Sequence, residues 1–194
     1  MTDSTKSAVR KPGKRERLVG AATRVLHEQG VEKTTLADIA QAADVPVGNV
    51  YYYFKTKDQL IEAAIGAHAE QFHTMTAALE QHAATPPDRL KALVQGWVDQ
   101  RELAARYGCP TGTLCSELDK RADGLDRAAA GVMGLLIDWV ELRFAEMGRP
   151  DSRELAVALI ASYQGISLLT NTFRDPELMV AEGRRLQRWI DSLA

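Results

Sequence analysis

Apolar residues along this chain recur at intervals of three and four, with no run of strand-like alternation. That spacing gathers them on one side of a 3.6-residue helix and predicts an all-α protein. From Lys14 to Gln29 the stripe is Leu18, Ala22, Val25 and Leu26, closed by Gly30. A second helix is predicted to start at Thr35. Asp38, three residues on, completes a capping box with Asp in place of the usual Glu. Leu36, Ile39, Ala40 and Ala43 form its apolar face, and small Ala40 lets another helix cross closely. Asp44 marks the turn, because Asp tolerates left-handed backbone better than most residues. Pro46 presets the backbone for a short third helix, about Val47 to Tyr53. Val50 and Phe54 are expected to face inward. Val47, Gly48, Asn49, Tyr51 and Tyr52 are expected to face outward.

A longer helix is predicted from Lys57 to about Ala83. Leu60, Ile61, Ala64, Ile65, His68, Phe72, Met75 and Leu79 lie on one side, and Thr85-Pro86-Pro87 stops it. It begins at the short helices and ends in the body, so it reads as a lever between them. The next helix starts at Asp88 with Leu90, Leu93, Val94, Trp97 and Val98, and Arg101 on the same face. Gly108 to Gly112 breaks the chain, and a short helix follows from Thr113 to Lys120. Asp123 to Met147 reads as a long helix with apolar residues on several sides, among them Val132, Met133, Leu136, Trp139, Val140 and Phe144. Ser152 to Phe173 follows, and Asp175-Pro176 restarts the chain. Met179, Gly183, Leu186, Ile190 and Leu193 then step by four, three, four and three, a narrow helix–helix seam. The last two helices can pair inside one chain or with their copies in a second. The second arrangement is preferred here, with Leu155, Leu159, Tyr163, Ile166, Met179, Leu186 and Ile190 as the expected homodimer interface.

Composition changes little and charge changes more. The 194 residues are 45% hydrophobic and 26% charged, ordinary values for a soluble globular protein. The longest apolar run, Ala128 to Ile137, is too short to span a bilayer. The first twenty residues carry no apolar signal, and two cysteines without a spacing framework point to a reducing cytosol. A cytoplasmic protein with no membrane partner is therefore expected. The net charge of −2 hides an asymmetry. Residues 1–60 hold ten Lys/Arg against seven Asp/Glu, and the rest hold fourteen against nineteen. A basic front on an acidic body suggests that the front meets a polyanion. Residues 1–13 have no period and are expected to form a disordered basic tail. Arg10 and Lys11, with Lys14, Arg15 and Arg17, either reach a DNA backbone or stay solvated.

An outward row of Tyr, Asn and Gly at a helix start, followed by Lys55 and Lys57, is unusual for a solvated surface. Gly permits close approach, Asn both donates and accepts, and Tyr hydroxyls and Lys reach phosphates. The segment DIAQAADV, then GNVYYYFKTK, resembles the DNA-binding signature of the tetracycline-repressor-like (TetR) family. The resemblance covers residues 14–57. Two positions depart from it: the family most often has Gly where Asp44 stands, and Ser or Thr where Pro46 stands. The resemblance implies a helix-turn-helix DNA-binding domain over 14–57 and a helical effector-binding and dimerisation domain over 58–194. It further implies Thr34, Thr35, Val47, Gly48, Asn49, Tyr51, Tyr52, Lys55 and Lys57 as DNA-facing residues. The partners implied are double-stranded DNA with a palindromic operator, a second copy of the chain, and an unknown small-molecule effector that releases a repressor from its operator.

For such an effector the candidates are His68, Phe72, Met75, Trp97, Arg101, Tyr107, Trp139 and Tyr163, although each also suits an ordinary core. Cys109 precedes a helix start, where a thiol pKa can fall, and is either an electrophile or oxidant sensor or a structural turn cysteine. A regulator without an effector is a further alternative. The four histidines do not converge: His68 and His73 lie roughly 140° apart around a helix. With no CxxC, no phosphate-cradling Gly loop and no Ser-His-Asp pattern, no metal, cofactor or catalytic residue is expected.

Overall fold

The structure, a computed structural model, describes residues 12–121 and 123–194. The tail expectation for residues 1–11, with Arg10 and Lys11, lies outside the described residues. The described elements are all helical: α1 Lys14–Gln29, α2 Leu36–Ala42, α3 Val47–Tyr53, α4 Lys57–His82, α5 Pro86–Asp99, α6 Arg101–Tyr107, α7 Pro110–Leu118, α8 Leu125–Glu146, α9 Ser152–Phe173 and α10 Pro176–Asp191.

Local chemistry explains most helix starts. At α2, the Thr35 hydroxyl accepts the Asp38 N–H at 3.2 Å. The Asp38 carboxylate in turn accepts the Thr35 N–H at 2.8 Å, the capping box expected from sequence. At α5, the Thr85 hydroxyl accepts the Asp88 N–H at 3.3 Å, with prolines in the first turn. Thr85-Pro86-Pro87 therefore opens α5 as well as ending α4, because a first-turn proline lacks only an N–H that would be orphaned. Cys109 plays the same part at α7, its thiol accepting the Gly112 N–H at 3.3 Å, so this helix begins at Pro110 rather than Thr113.

One core joins α1–α4 to the body. Leu18, Ala22, Val25, Ile39, Val50, Phe54, Leu60 and Ile61 share it with Leu114 and Leu118 of α7 and Leu125 and Ala129 of α8. A second core holds Leu90, Leu93 and Val94 of α5 with Val140 and Phe144 of α8, Ala156, Leu159 and Ile160 of α9, and Leu186 and Ile190 of α10. The apolar packing thus does not break at Lys57. The front half of α4 belongs to the first core, which makes the lever helix continuous with the helices it carries.

The terminal seam is corrected by this packing. Met179, Gly183, Leu186 and Ile190 are buried within their own chain, α10 lying against α5, α6 and α9. Leu159 is buried as well. None of these is free to meet a second chain. The four-three repeat is a true helix–helix seam, but its partners are α5, α9 and α6 of the same chain. What α9 leaves uncovered is a different stripe, Val157, Leu168, Leu169 and Phe173, with Leu168 at 66% and Phe173 at 67% exposure. Leu142 of α8 is exposed as well. By length and composition, α9 is the one helix among the described residues apolar enough to cross a bilayer.

Candidate nucleic-acid interface

The α2–α3 pair is a tight helix-turn-helix. Asp44 takes φ 52°, the left-handed turn that its sequence position required. The Val45 N–H donates to the Ala40 carbonyl at 3.0 Å, which closes the turn. Arg17 from α1 donates to the Asp44 carbonyl at 3.1 Å and stands 3.4 Å from its carboxylate. Pro46 caps α3 without a side-chain hydrogen bond, and the Asn49 N–H donates to the Pro46 carbonyl at 2.8 Å. Val50 and Phe54 anchor the helix in the core, with the Arg15 guanidinium 5.4 Å from the Phe54 ring centre. The opposite face is open: Val47 and Gly48 are exposed, Tyr51 is 50% exposed and Tyr52 is 79% exposed.

A helix this short with large aromatics in solvent leaves apolar area unburied, an arrangement that suits a partner surface. Tyr52 and Tyr53 meet edge to face, ring centres 4.9 Å apart, which steadies Tyr52 without covering it. The Lys55 ammonium donates to the Tyr51 carbonyl at 2.6 Å, and the Lys57 ammonium to the Glu32 carbonyl at 3.3 Å. Lys55 thus lies against α3, while Lys57 lies against the α1–α2 link. Asn49 is half-buried. Thr35 is exposed, but its hydroxyl is held in the cap, donating to Asp38 at 2.6 Å. That bond and the Thr35 N–H hold the Asp38 carboxyl below its ordinary value. Thr34 is corrected: it is buried, its hydroxyl donating to the Gly30 carbonyl at 2.7 Å, so it braces the α1–α2 link from inside.

The eight effector candidates do not converge. Trp97 and Tyr163 stack with ring centres 4.1 Å apart. Burial pushes the Tyr163 phenol well above its ordinary pKa, with neighbouring Cys109 adding to the shift. His68 and Tyr107 instead share a cleft with His27, whose Nε2–H donates to the Gly108 carbonyl at 2.9 Å. Burial first, and His27 second, lowers the His68 pKa. Trp139 turns to the far side, donating to Glu80 at 3.0 Å beside Arg143. Arg101 donates to the Val98 carbonyl at 3.3 Å, Met75 is exposed, and Phe72 is half-buried beside His73. Helical spacing put these eight on apolar faces, but those faces point to different neighbours.

A cavity of about 500 Å³ lies elsewhere, between α7 and α9, walled by residues that include Cys109, Thr113, Glu117, Gln164, Ser167 and Asn171. Cys109 itself is buried, receiving the Gln164 amide at 3.5 Å. Sequence reasoning missed Glu117, Gln164, Ser167 and Asn171 because polar residues at helical spacing resemble a solvated face. Among the described residues, no three His, Cys, Asp or Glu gather where a metal could sit.

A helix-turn-helix whose second helix bares tyrosines, carried on a helical body, defines a DNA-binding regulator. The sequence model for bacterial regulatory proteins of the tetR family matches residues 18–64. The HTH-type transcriptional regulator BetI of Rhizobium meliloti is 35% identical over 192 residues, covering 82% of this chain and 92% of the relative. The HTH-type transcriptional regulator TtgR of Pseudomonas putida is 25% identical, covering 92% and 88%. A TetR transcriptional regulator of Legionella pneumophila shares the fold at a TM-score of 0.83 with 18% identity, covering 95% and 98%. The chain belongs to the TetR family of DNA-binding transcriptional regulators.

Proposed function

We propose that this chain is a homodimeric repressor that reads an inverted-repeat operator in the cytoplasm and leaves it when a small molecule binds the body. The exposure of Tyr51 and Tyr52 on a helix whose other face is anchored in the core carries this reading. Val47, Gly48 and Asn49 then meet base edges, while Thr35, Tyr51, Tyr52, Lys55 and Lys57 meet sugar and phosphate. Residues 14–57 act as the reader, and residues 58–194 act as the effector-binding and dimerising body. One α3 offers limited affinity. A two-fold pair places two of them in successive major grooves ~34–36 Å apart.

The exposed stripe of α9, with Leu142 of α8, supports a second copy as the partner of this surface: it is apolar, contiguous along one helix and not covered within the chain. Release follows population shift. A ligand that prefers the arrangement with widely set readers lowers DNA affinity by its preference for that arrangement.

The test is a gel shift with duplex DNA flanking the protein's own gene. Binding that needs both halves of an inverted repeat, and that falls when half is scrambled, supports the reading. Equal binding to a single half-site removes the dimeric operator from it.

A further inference from the structure

The cavity between α7 and α9 has an uneven chemistry. One carboxylate, Glu117, lines it, and no Lys, Arg or His does. The Asn171 amide nitrogen is committed to the Ala105 carbonyl at 3.1 Å, which leaves its oxygen as the remaining acceptor. The Gln164 amide nitrogen faces only the sulfurs of Cys109 and Met133, at 3.5 and 3.8 Å. The Ser116 hydroxyl donates to the Gly112 carbonyl at 3.0 Å and keeps its lone pairs. Ser167 is 1% exposed, lines the same space, and its hydroxyl has no hydrogen-bond partner among the described residues. A buried hydroxyl left unpaired costs free energy, and this one lies just behind the wall, where a ligand that shifts the α9 side chains gives it a partner. Leu168 and the Cys109 side supply apolar contact.

Free acceptors and a single negative charge favour a donor that carries positive charge, and they disfavour carboxylates and phosphates. We infer that this cavity binds a small organic ammonium with a hydrocarbon body, its charged head on Glu117 and its donors shared with Ser167 and Asn171. The inference rests on the effector-released reading above and deepens it by naming the ligand class.

Glu117 also ties this site to the DNA reader. Its carboxylate accepts the Val31 N–H in the α1–α2 link and fills the space that a side chain at Gly30 would take. Next to it in the chain, Leu114 and Leu118 of α7 sit in the core of α1–α4. Arg121, just past α7, pairs with Asp58 at the start of α4 at 2.9 Å. An ammonium on Glu117 competes with Val31 for the same carboxylate. Occupancy therefore loosens the link that sets α2 and α3 against α1.

The test uses the full chain and calorimetric titration with n-hexylammonium, hexanoate and 1-hexanol. The expected order places the ammonium at least about tenfold tighter than the carboxylate, the scale of one charge-assisted hydrogen bond. Glu117→Gln removes that preference. Ser167→Ala weakens ammonium binding without lowering Tm, a combination that a purely structural serine would not give. Equal affinities, or a preference for hexanoate, overturn the ligand class. No binding by any probe means that the second protomer or the chain's own side chains fill the space, which also overturns it. Duplex binding without probe is measured separately: its loss strikes the regulator reading and leaves the ammonium order standing. Amide exchange at Val31 should accelerate on saturation with n-hexylammonium, and unchanged protection there refutes the coupling.

Discussion

Arg17 of α1 reaches across the turn to Asp44, donating to its carbonyl at 3.1 Å while its carboxylate stands at 3.4 Å. The shorter contact is to backbone and survives any change of side chain. The carboxylate itself is fully exposed, so its ion pair contributes little. Meanwhile Asp44 bears a left-handed backbone at φ 52°, which costs a non-glycine residue roughly 1–2 kcal/mol. Asp44→Gly should therefore raise stability by up to about 1 kcal/mol once the added backbone entropy of Gly is counted. Urea unfolding checks this. A loss of stability would show that the carboxylate contact, not the carbonyl contact, holds the turn.

Gly183 sits where α10 crosses α5, and a methyl group built there runs into the Val98 side chain. Gly183→Ala should destabilise the chain by about 1–3 kcal/mol through overpacking, despite the better helix propensity of Ala. The midpoint of chemical unfolding reads this directly. A neutral or stabilising result would mean that α10 does not pack on α5 as described.

The uncovered side of α9 makes an opposite prediction. Leu168→Glu and Phe173→Glu place charge on side chains that are already two-thirds exposed. Neither should unfold the monomer, because no buried contact is lost. Both should shift sedimentation toward a single chain. Unchanged self-association in both variants would move the dimer surface elsewhere.

The cleft beneath α1 and α4 yields a pH dependence. His68 is half-buried, and burial with nearby His27 lowers its pKa in the fold. The unfolded chain then binds more protons than the folded one below the ordinary histidine value of about 6.5. Stability therefore rises with pH through that window, is complete above it, and declines on acidification toward the folded value. His68→Gln should flatten the dependence of the thermal midpoint on pH just below about pH 6.5 relative to the parent. An unchanged slope would assign the acid sensitivity to other groups.

Helix order and most boundaries were legible because they depend on local chemistry. Thr35 with Asp38, Gly30, and Asp175-Pro176 each act within a turn or two of chain, and the structure has helices beginning or ending at all three. The break after Asp99 was not legible, since Gln100 has no Gly or Pro beside it to announce a change of direction. Partners were harder still. The repeat from Met179 to Ile190 specified a seam but not its mate, because spacing within one helix carries no information about the helix that covers it. The cavity between α7 and α9 was not legible for the same reason. Aromatic residues on separate apolar stripes suggested a pocket, while the actual cavity is walled by Glu117, Gln164, Ser167 and Asn171, polar residues that only tertiary packing brings together. At α3, the outward tyrosines could be read in advance because the inward anchors Val50 and Phe54 fix the helix's rotation.

The central claim is that α3 lies in a DNA groove with its tyrosines and lysines on the phosphates. Fluorescence anisotropy on the operator duplex tests it most directly, comparing parent, Tyr52→Ala and Lys57→Ala across ~50–200 mM salt, with unfolding curves as controls. Affinity should fall steeply with salt for the parent and drop about tenfold in each variant, and Lys57→Ala should shallow the salt slope by about one contact while both variants unfold as the parent does. Parent-like affinity and slope in both variants would place the DNA on another surface.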